Sequence, residues 1–197
     1  MKQVWNQKYS EHVFAYGKEP NKYFAQELKK LRPGNILLPG EGEGRNAIFA
    51  AQQGWNVTCF DTSTVARDKA LAWAAAEKVK IDYRLKSYYE MDFNESYDML
   101  GLFYLHMESN VRRDTHRKFL KYLKTGGYLI MEVFSKKQMD KSSGGPKVLD
   151  MLYSEDDLKE DFISLDFAYI GAEEIILNEG PLHQGPASVI RVLAQKF

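Results

Sequence analysis

NILLPGEGEGRNAIFAAQQGWNVTCFD, Asn35 to Asp61, is the stretch whose reading decides the fold. An apolar run enters three glycines at alternate positions, Gly40, Gly42 and Gly44. A helical pattern follows from about Arg45 to Gln53, Gly54 ends it, and a second apolar run, NVTCFD, closes on an aspartate. Ligands of a doubly wound sheet sit beyond the C-terminal ends of its strands, and PGEGEG leaves the first strand there. Glycines let the backbone turn sharply and approach a ligand closely. Asp61 lies twenty-one residues past Gly40, where a carboxylate can take both hydroxyls of a ribose. The bland alternative is a structural glycine turn with exposed glutamates.

Outward from this unit, strands and helices alternate. PNKYFAQELKKL precedes it as a helix with Phe24, Leu28 and Leu31 on one face, and RPGN breaks that helix. Downstream, Ser63 or Thr64 caps a long helix through Glu77. IDYRLK and YDMLGLFYL are the third and fourth strands. SNVRRDTHRKFLKYLK is amphipathic, with Phe119, Leu120 and Leu123 inward; TGG stops it, and YLIMEVF is the fifth strand. Continuous apolar strands separated by helices predict a parallel sheet covered on both faces. The tail differs: after the capped helix SEDDLKEDF, FAYIGAEEIILN and ASVIRVLAQKF are strands with no helix between them, an antiparallel ending. Residues 136–145, KKQMDKSSGG, read as loop.

The glycine spacing discriminates between cofactors. Dinucleotide enzymes use G-x-G-x-x-G and seat a pyrophosphate on the helix N-terminus. Here Arg45 stands where the third glycine would fall, and Glu41 and Glu43 lie in the loop. A carboxylate about 4 Å from a phosphate costs ~1 kcal/mol even at bulk-water screening. The loop therefore suits a cofactor without phosphates and with positive charge, and S-adenosylmethionine, with its ribose, ammonium and sulfonium, fits.

On these motifs the chain resembles the class I S-adenosylmethionine-dependent methyltransferases, closest to the small bacterial tellurite-resistance and thiopurine-methyltransferase-like group. Similarity runs over nearly the whole chain: WNQKY and YGKEPN near the start, GEGEGRNA, DFNESYDMLGLFYLHM, GGYLIMEVFS, GGPKVLDMLYS and EGPLHQGPASVIRVLA. The resemblance implies an α/β fold, a doubly wound Rossmann-like seven-stranded mostly parallel sheet with an antiparallel last strand, of order 3-2-1-4-5-7-6. It implies one methyltransferase domain over residues 1–197, with 1–34 a helical lead-in or lid and 35–197 the sheet core. By position, Gly40, Gly42 and Gly44 would pass the methionine part, Asp61 the ribose with Thr62 beside it, Ser87 and Tyr88 the adenine, and Leu102 and Phe103 would reach the cofactor from the fourth strand. The chain departs from the group at Leu38, where relatives carry an acid that anchors the cofactor ammonium, and at Ser87, where they often carry an acid for the adenine amine. Glu41 is the substitute anchor.

Methyl transfer is an in-line displacement that needs alignment and exclusion of water. Candidate catalytic residues are His106, just past the fourth strand; His183, in the loop EGPLHQGP between the last two strands; and Arg45, at the first helix N-terminus. His183 reads equally as a solvated loop histidine. Arg45 either binds an oxyanion or pairs with Glu41 or Glu43 to brace the loop. Tyr9, Phe14 and Tyr16 are either a water-excluding lid or ordinary packing. His12 and His116 read as surface residues, His116 in the charged run RRDTHRK.

Composition narrows the class. With 27 basic and 27 acidic residues, nothing in the totals points to a nucleic-acid partner. The fourth strand lacks the Asn/Asp-Pro-Pro-aromatic motif of enzymes that methylate exocyclic amines of adenine. The single cysteine, Cys59, allows no internal disulfide and reads as a buried hydrophobe. No His/Cys/acid spacing suggests a metal site, no run reaches the ~18 apolar residues of a membrane span, and no leader is visible. A cytoplasmic enzyme acting on a small molecule, a thiol or soft oxyanion, is the expectation. A non-catalytic cofactor- or partner-binding module on the same fold and a nicotinamide-dependent oxidoreductase are the alternatives.

Overall fold

The apolar runs become strands because each buries its side chains on both faces. Ile36, Leu37 and Leu38 of β1 (Asn35–Pro39) are fully buried, as are Leu129, Ile130, Met131 and Val133 of β5 (Leu123–Phe134). The structure, a computed structural model, describes residues 2–197. Seven strands follow the order β3-β2-β1-β4-β5-β7-β6, the order expected. Among the described residues no helix is long and apolar enough to cross a membrane.

By internal contacts the chain forms two compact parts, one up to Asp92 with Glu179–Leu182, the other Phe93–Asn178 with His183–Phe197. In the first, β1 pairs parallel with β2 (Asn56–Asp61), and β2 parallel with β3 (Asp82–Leu85). Helices α1 (Lys2–Ser10), α2 (Lys22–Leu28), α3 (Arg45–Gln52) and α4 (Thr64–Ala76) accompany them. Asn21 caps α2 by accepting from the Phe24 N–H, and Ser63 caps α4 by accepting from the Ala66 N–H, so Ser63 rather than Thr64 is the cap.

In the second part β4 (Tyr97–Phe103) pairs parallel with β5. β7 (Gln184–Lys196) runs antiparallel to both β5 and β6 (Leu165–Asn178). Helices α5 (Ser109–Tyr122) and α6 (Glu155–Asp161) belong here. Ser154 and Asp157 form a reciprocal capping box on α6.

Three expectations need correction. TGG does not end a helix: Leu123 is already extended and pairs with Tyr97, and the register then jumps to Met99–Tyr128, so residues 124–127 bulge within β5. Residues 136–145 are not a bare loop. Lys136–Asp140 form a 3₁₀ turn whose buried Gln138 donates to the Ser143 hydroxyl and the Gly144 carbonyl and accepts from the Ser188 N–H. His116 is not on a solvated face; it is 1% exposed, with Nδ1 2.9 Å from Asp161 and its ring stacked on Phe162. Arg112, also buried, donates to the same Asp161 oxygen at 2.7 Å. A charged run reads as surface until a buried acid on a second helix neutralises one face of it.

Candidate functional site

The glycine loop hangs from the end of β2, with the Gly40 and Glu41 N–H groups both donating to the Phe60 carbonyl. Gly42 has φ +60°, and a Cβ there would stand 2.5 Å from the Tyr9 hydroxyl, so glycine is required twice over. Gly44 has φ +90°, and its Cβ would meet the Ala70 Cβ at 2.8 Å, which is what lets the start of α3 lie against α4. Tyr83 Oη donates to the Gly42 carbonyl at 2.6 Å. Asp61, at the C-terminal end of β2, accepts from the Gly42 N–H at 3.1 Å and the Ser63 N–H at 2.9 Å. Burial raises its pKa against those bonds and one from the Thr62 N–H.

The loop carboxylates turn inward. Glu41 Oε1 accepts from the Asn46 and Ala47 N–H groups at 2.8 and 2.7 Å, capping α3 in place of Gly44, which has no side chain. Burial lifts Glu41 to about 7. Glu43, 5% exposed, accepts from the Ala15 N–H at 2.7 Å and from Lys69 Nζ at 2.8 Å. The electrostatic argument that two free acids face the cofactor is thus corrected: both acids have protein partners.

Arg45 has a partner that the sequence did not point to. Its Nη2 lies 2.9 Å from Glu179, both side chains buried, and its Nη1 reaches the Tyr16 carbonyl at 3.4 Å. This buried pair ties Arg45 to an acid 134 residues away in sequence. Leu182 N–H donates to the Ala15 carbonyl, and Gly180 lies so close to Tyr16 and Gly17 that a Cβ would overlap their backbone.

The three lead-in aromatics separate. Tyr9, 4% exposed, stacks on Trp5 and meets Tyr16 edge-on, within a cluster that includes Ala15, Ala66 and Leu182. Burial, ahead of Asp61, raises the Tyr9 phenol, and burial pushes that of Tyr16 up to about 12. Phe14 instead packs edge-on against Trp73 of α4. Lys69, unnoticed in the sequence, donates to the Tyr9, His12 and Val13 carbonyls as well as to Glu43, pinning the lead-in. Ser87 hydrogen-bonds Glu90 through both its N–H and its hydroxyl, and Tyr88 packs against Tyr89. Thr62 follows Asp61 and is partly buried.

In the second part, Leu102 is fully buried and Phe103 keeps 9% exposure. His106 is saturated: Nδ1 lies 2.8 Å from the Met151 carbonyl and Nε2 accepts from the Phe134 N–H at 3.4 Å. That pattern requires the neutral tautomer protonated on Nδ1. Burial, with His183 a lesser cause, lowers His106 to about 4. Both ring nitrogens thus face main-chain groups. His183 is no solvated loop residue but is 4% exposed, packed edge-on to Tyr104 and Phe134. His106 stacks on the same Phe134, so the structure brings the two histidines to one ring. Tyr104 was missed; it has φ +51°, a strained value for a bulky residue that no sequence pattern announces.

Comparison with known proteins fits this geometry. Residues 36–127, the span from β1 into β5, match the family model described as a methyltransferase domain. A protein of Geobacillus sp. (strain WCH70), named as a candidate methyltransferase, is 34% identical over 110 residues, covering 53% of this chain; the chain spans 44% of that protein's length. TehB from Haemophilus influenzae shares the fold over 100% of this chain and 67% of its own, with TM-score 0.77 and 17% identity. The N-methyltransferase NodS from Bradyrhizobium japonicum, solved with S-adenosyl-L-homocysteine, does so over 99% and 97%, with TM-score 0.74 and 11% identity. The parallel strands β1 and β2, the glycine loop and the acid ending β2 all lie inside the span that is similar to a methyltransferase domain.

Proposed function

We propose that the chain transfers a methyl group from S-adenosylmethionine to a small-molecule acceptor, a thiol or other soft nucleophile. The observation that carries this is the carboxylate of Asp61 at the end of β2, tied to the Gly42 N–H inside a loop whose glycine a Cβ would block. These residues fit the cofactor: Asp61 and Thr62 would hold its ribose, the backbone of Gly40, Gly42 and Gly44 would flank its methionine part, Glu41 would meet its ammonium, and Ser87 and Tyr88 would border its adenine. When bound, the cofactor supplies a methyl group on a sulfonium, already activated for displacement. The chain's own task is then to orient the acceptor and exclude water. Tyr9, which covers Gly42, and Tyr16, edge-on to Tyr9, are both raised in pKa by burial, stay neutral and serve exclusion.

The acceptor class follows from what His106 does not do. Locked by two backbone groups, it offers no base, so the acceptor is one that needs little help to become nucleophilic. Calorimetric titration with S-adenosylmethionine tests the reading. The wild-type protein binds; Asp61→Ala binds about 1–3 kcal/mol more weakly, having left ribose hydroxyls without their acceptor. Equal affinities would put the pocket elsewhere, and no binding by the wild type would end the methyltransferase reading.

A further inference from the structure

Three charged side chains, Glu41, Glu43 and Arg45, stand where the glycine loop passes into α3, and two of them are neutralised. Glu43 pairs with Lys69 Nζ at 2.8 Å, and Arg45 Nη2 with Glu179 at 2.9 Å. Glu41 has no ion-pair partner among the described residues. Its Oε1 takes the two main-chain donors of the helix start, the Asn46 and Ala47 N–H groups, and the Asn46 side chain adds a hydrogen bond. The titratable groups that feel Glu41 from the neighbouring elements bring no cation: Tyr9 of α1, Cys59 of β2 and Tyr83 of β3 keep their protons, each raised by burial first. Asp61, ending β2, accepts from the Gly42 and Ser63 N–H groups. Arg45 acts on Glu41 through its charge, while its guanidinium is engaged by Glu179.

An acid in this setting is poised between two states. Burial favours the neutral carboxyl and lifts it from 4.5 to about 7, against the hydrogen bonds from Ala47 and Asn46 and the charge of Arg45. As the neutral acid, Glu41 still accepts at Oε1, which places its proton on Oε2. An O–H there presents a hydrogen, and an ammonium group carries only hydrogens, so the two do not pair. Ionisation turns the same oxygen into an acceptor, and the helix dipole favours a carboxylate at this N-terminus. Glu41 is partly and not fully buried, so a ligand can reach it.

We propose that Glu41 couples cofactor binding to proton release: it gives up its carboxyl proton to solvent as it takes the cofactor's ammonium, so that affinity depends on pH through the neutral range. The proposal rests on the methyltransferase reading and adds a regulation of its cofactor site. One O–H bond breaks, and its proton goes to the buffer. Below pH 7 Glu41 is mostly protonated, each ammonium taken up displaces a proton, and binding weakens as pH falls. Above about pH 8 the ligand's own α-amino group, ordinarily ~7.7–8.0, loses its charge and the attraction fades. Affinity is greatest between these limits.

Calorimetry in two buffers of unlike ionisation heat counts the protons released. One ligand is S-adenosylhomocysteine, which keeps the ammonium and has no sulfonium charge. The other is 5′-methylthioadenosine, which keeps the adenosine, and so any bond to Asp61, but has no amino acid. At pH 7 the wild type is expected to release about half a proton more with the first ligand than with the second, rising toward one at pH 6. Its affinity for S-adenosylhomocysteine, relative to that for 5′-methylthioadenosine, should rise about tenfold from pH 5 to pH 6. In Glu41→Gln the extra proton release disappears at both pH values. Equal release with the two ligands, no release with either, or release that persists in Glu41→Gln overturns the proposal and leaves the methyltransferase reading intact. A wild type that binds neither these ligands nor S-adenosylmethionine sinks both. If Glu41→Gln fails to fold, carboxyl-¹³C glutamate in the wild type at pH 6 decides. The Glu41 signal moves to its ionised position at S-adenosylhomocysteine saturation; an unmoved signal overturns the proposal.

Discussion

At the scale of single residues, His106 shows how the backbone can engage both nitrogens of a ring expected to carry protons. A histidine past the end of a central strand reads as a base because its ordinary pKa lies near neutrality. Here the ring proton goes to the Met151 carbonyl and the ring lone pair accepts from the Phe134 N–H. Burial then holds the imidazole at about 4. An NMR titration of the His106 ring is therefore expected to show a midpoint near 4 and no change in the neutral range. A midpoint near the usual ~6.5 would return the residue to the list of proton carriers. His183 differs in that rings, Tyr104 and Phe134, pack against it.

At the scale of elements, the lead-in following α1 is fastened by one lysine. Lys69 of α4 gathers the carbonyls of Tyr9, His12 and Val13 and neutralises the buried Glu43, which in turn takes the Ala15 N–H. Lys69→Met leaves Glu43 without its cation. A fully buried pair broken this way costs roughly 3–5 kcal/mol; with Lys69 25% exposed, about 2 kcal/mol is expected in urea unfolding. The double variant Lys69→Met/Glu43→Gln should recover part of that loss, and hydrogen exchange at Ala15 should rise in the single variant. Additive losses with no change at Ala15 would mean that the lysine does not fasten the lead-in. The elements themselves were legible where burial on both faces produces continuous apolar runs: β2 is NVTCFD with the limits read from the sequence, and the antiparallel tail was visible as two strands without a helix between them. Partnerships were not legible. Glu179 for Arg45 and Asp161 for His116 come from distant segments, and no local pattern distinguishes a neutralised charge from a solvated one. The β5 bulge escaped because Gly126, at φ +77°, continues a strand in a conformation that reads as a helix stop. Tyr104 escaped because strain belongs to the backbone, not to the residue type.

At the scale of the whole molecule, acid stability is set by groups whose proton affinity differs between folded and unfolded chains. Burial lowers His106 to about 4 and also lowers His116. Their folded values lie below the unfolded one, ~6.5, so their contribution is complete above that pH and fades as pH falls toward the folded value. Glu41 runs the other way. Burial raises it from 4.5 to about 7, so its contribution is complete below 4.5 and is lost as pH rises through 7. Asp61, also raised by burial, has the same sense. Two imidazoles and two carboxylates thus oppose each other across the mildly acidic range. Below it, stability falls as Asp157 protonates; burial there is outweighed by the Lys136 and Ser154 hydrogen bonds, which hold it at about 2. Glu41→Gln isolates one of the opposed groups, since the amide can still accept from the N–H groups of α3. Measured by urea unfolding from pH 4.5 to 7.5, the stability of wild type relative to this variant should decline by about 3 kcal/mol as pH rises, at about 1.4 kcal/mol per pKa unit. A difference that stays level would mean that the helix N-terminus keeps Glu41 ionised throughout, and the carboxylate beside the glycine loop would then carry its charge before any cofactor ammonium arrives.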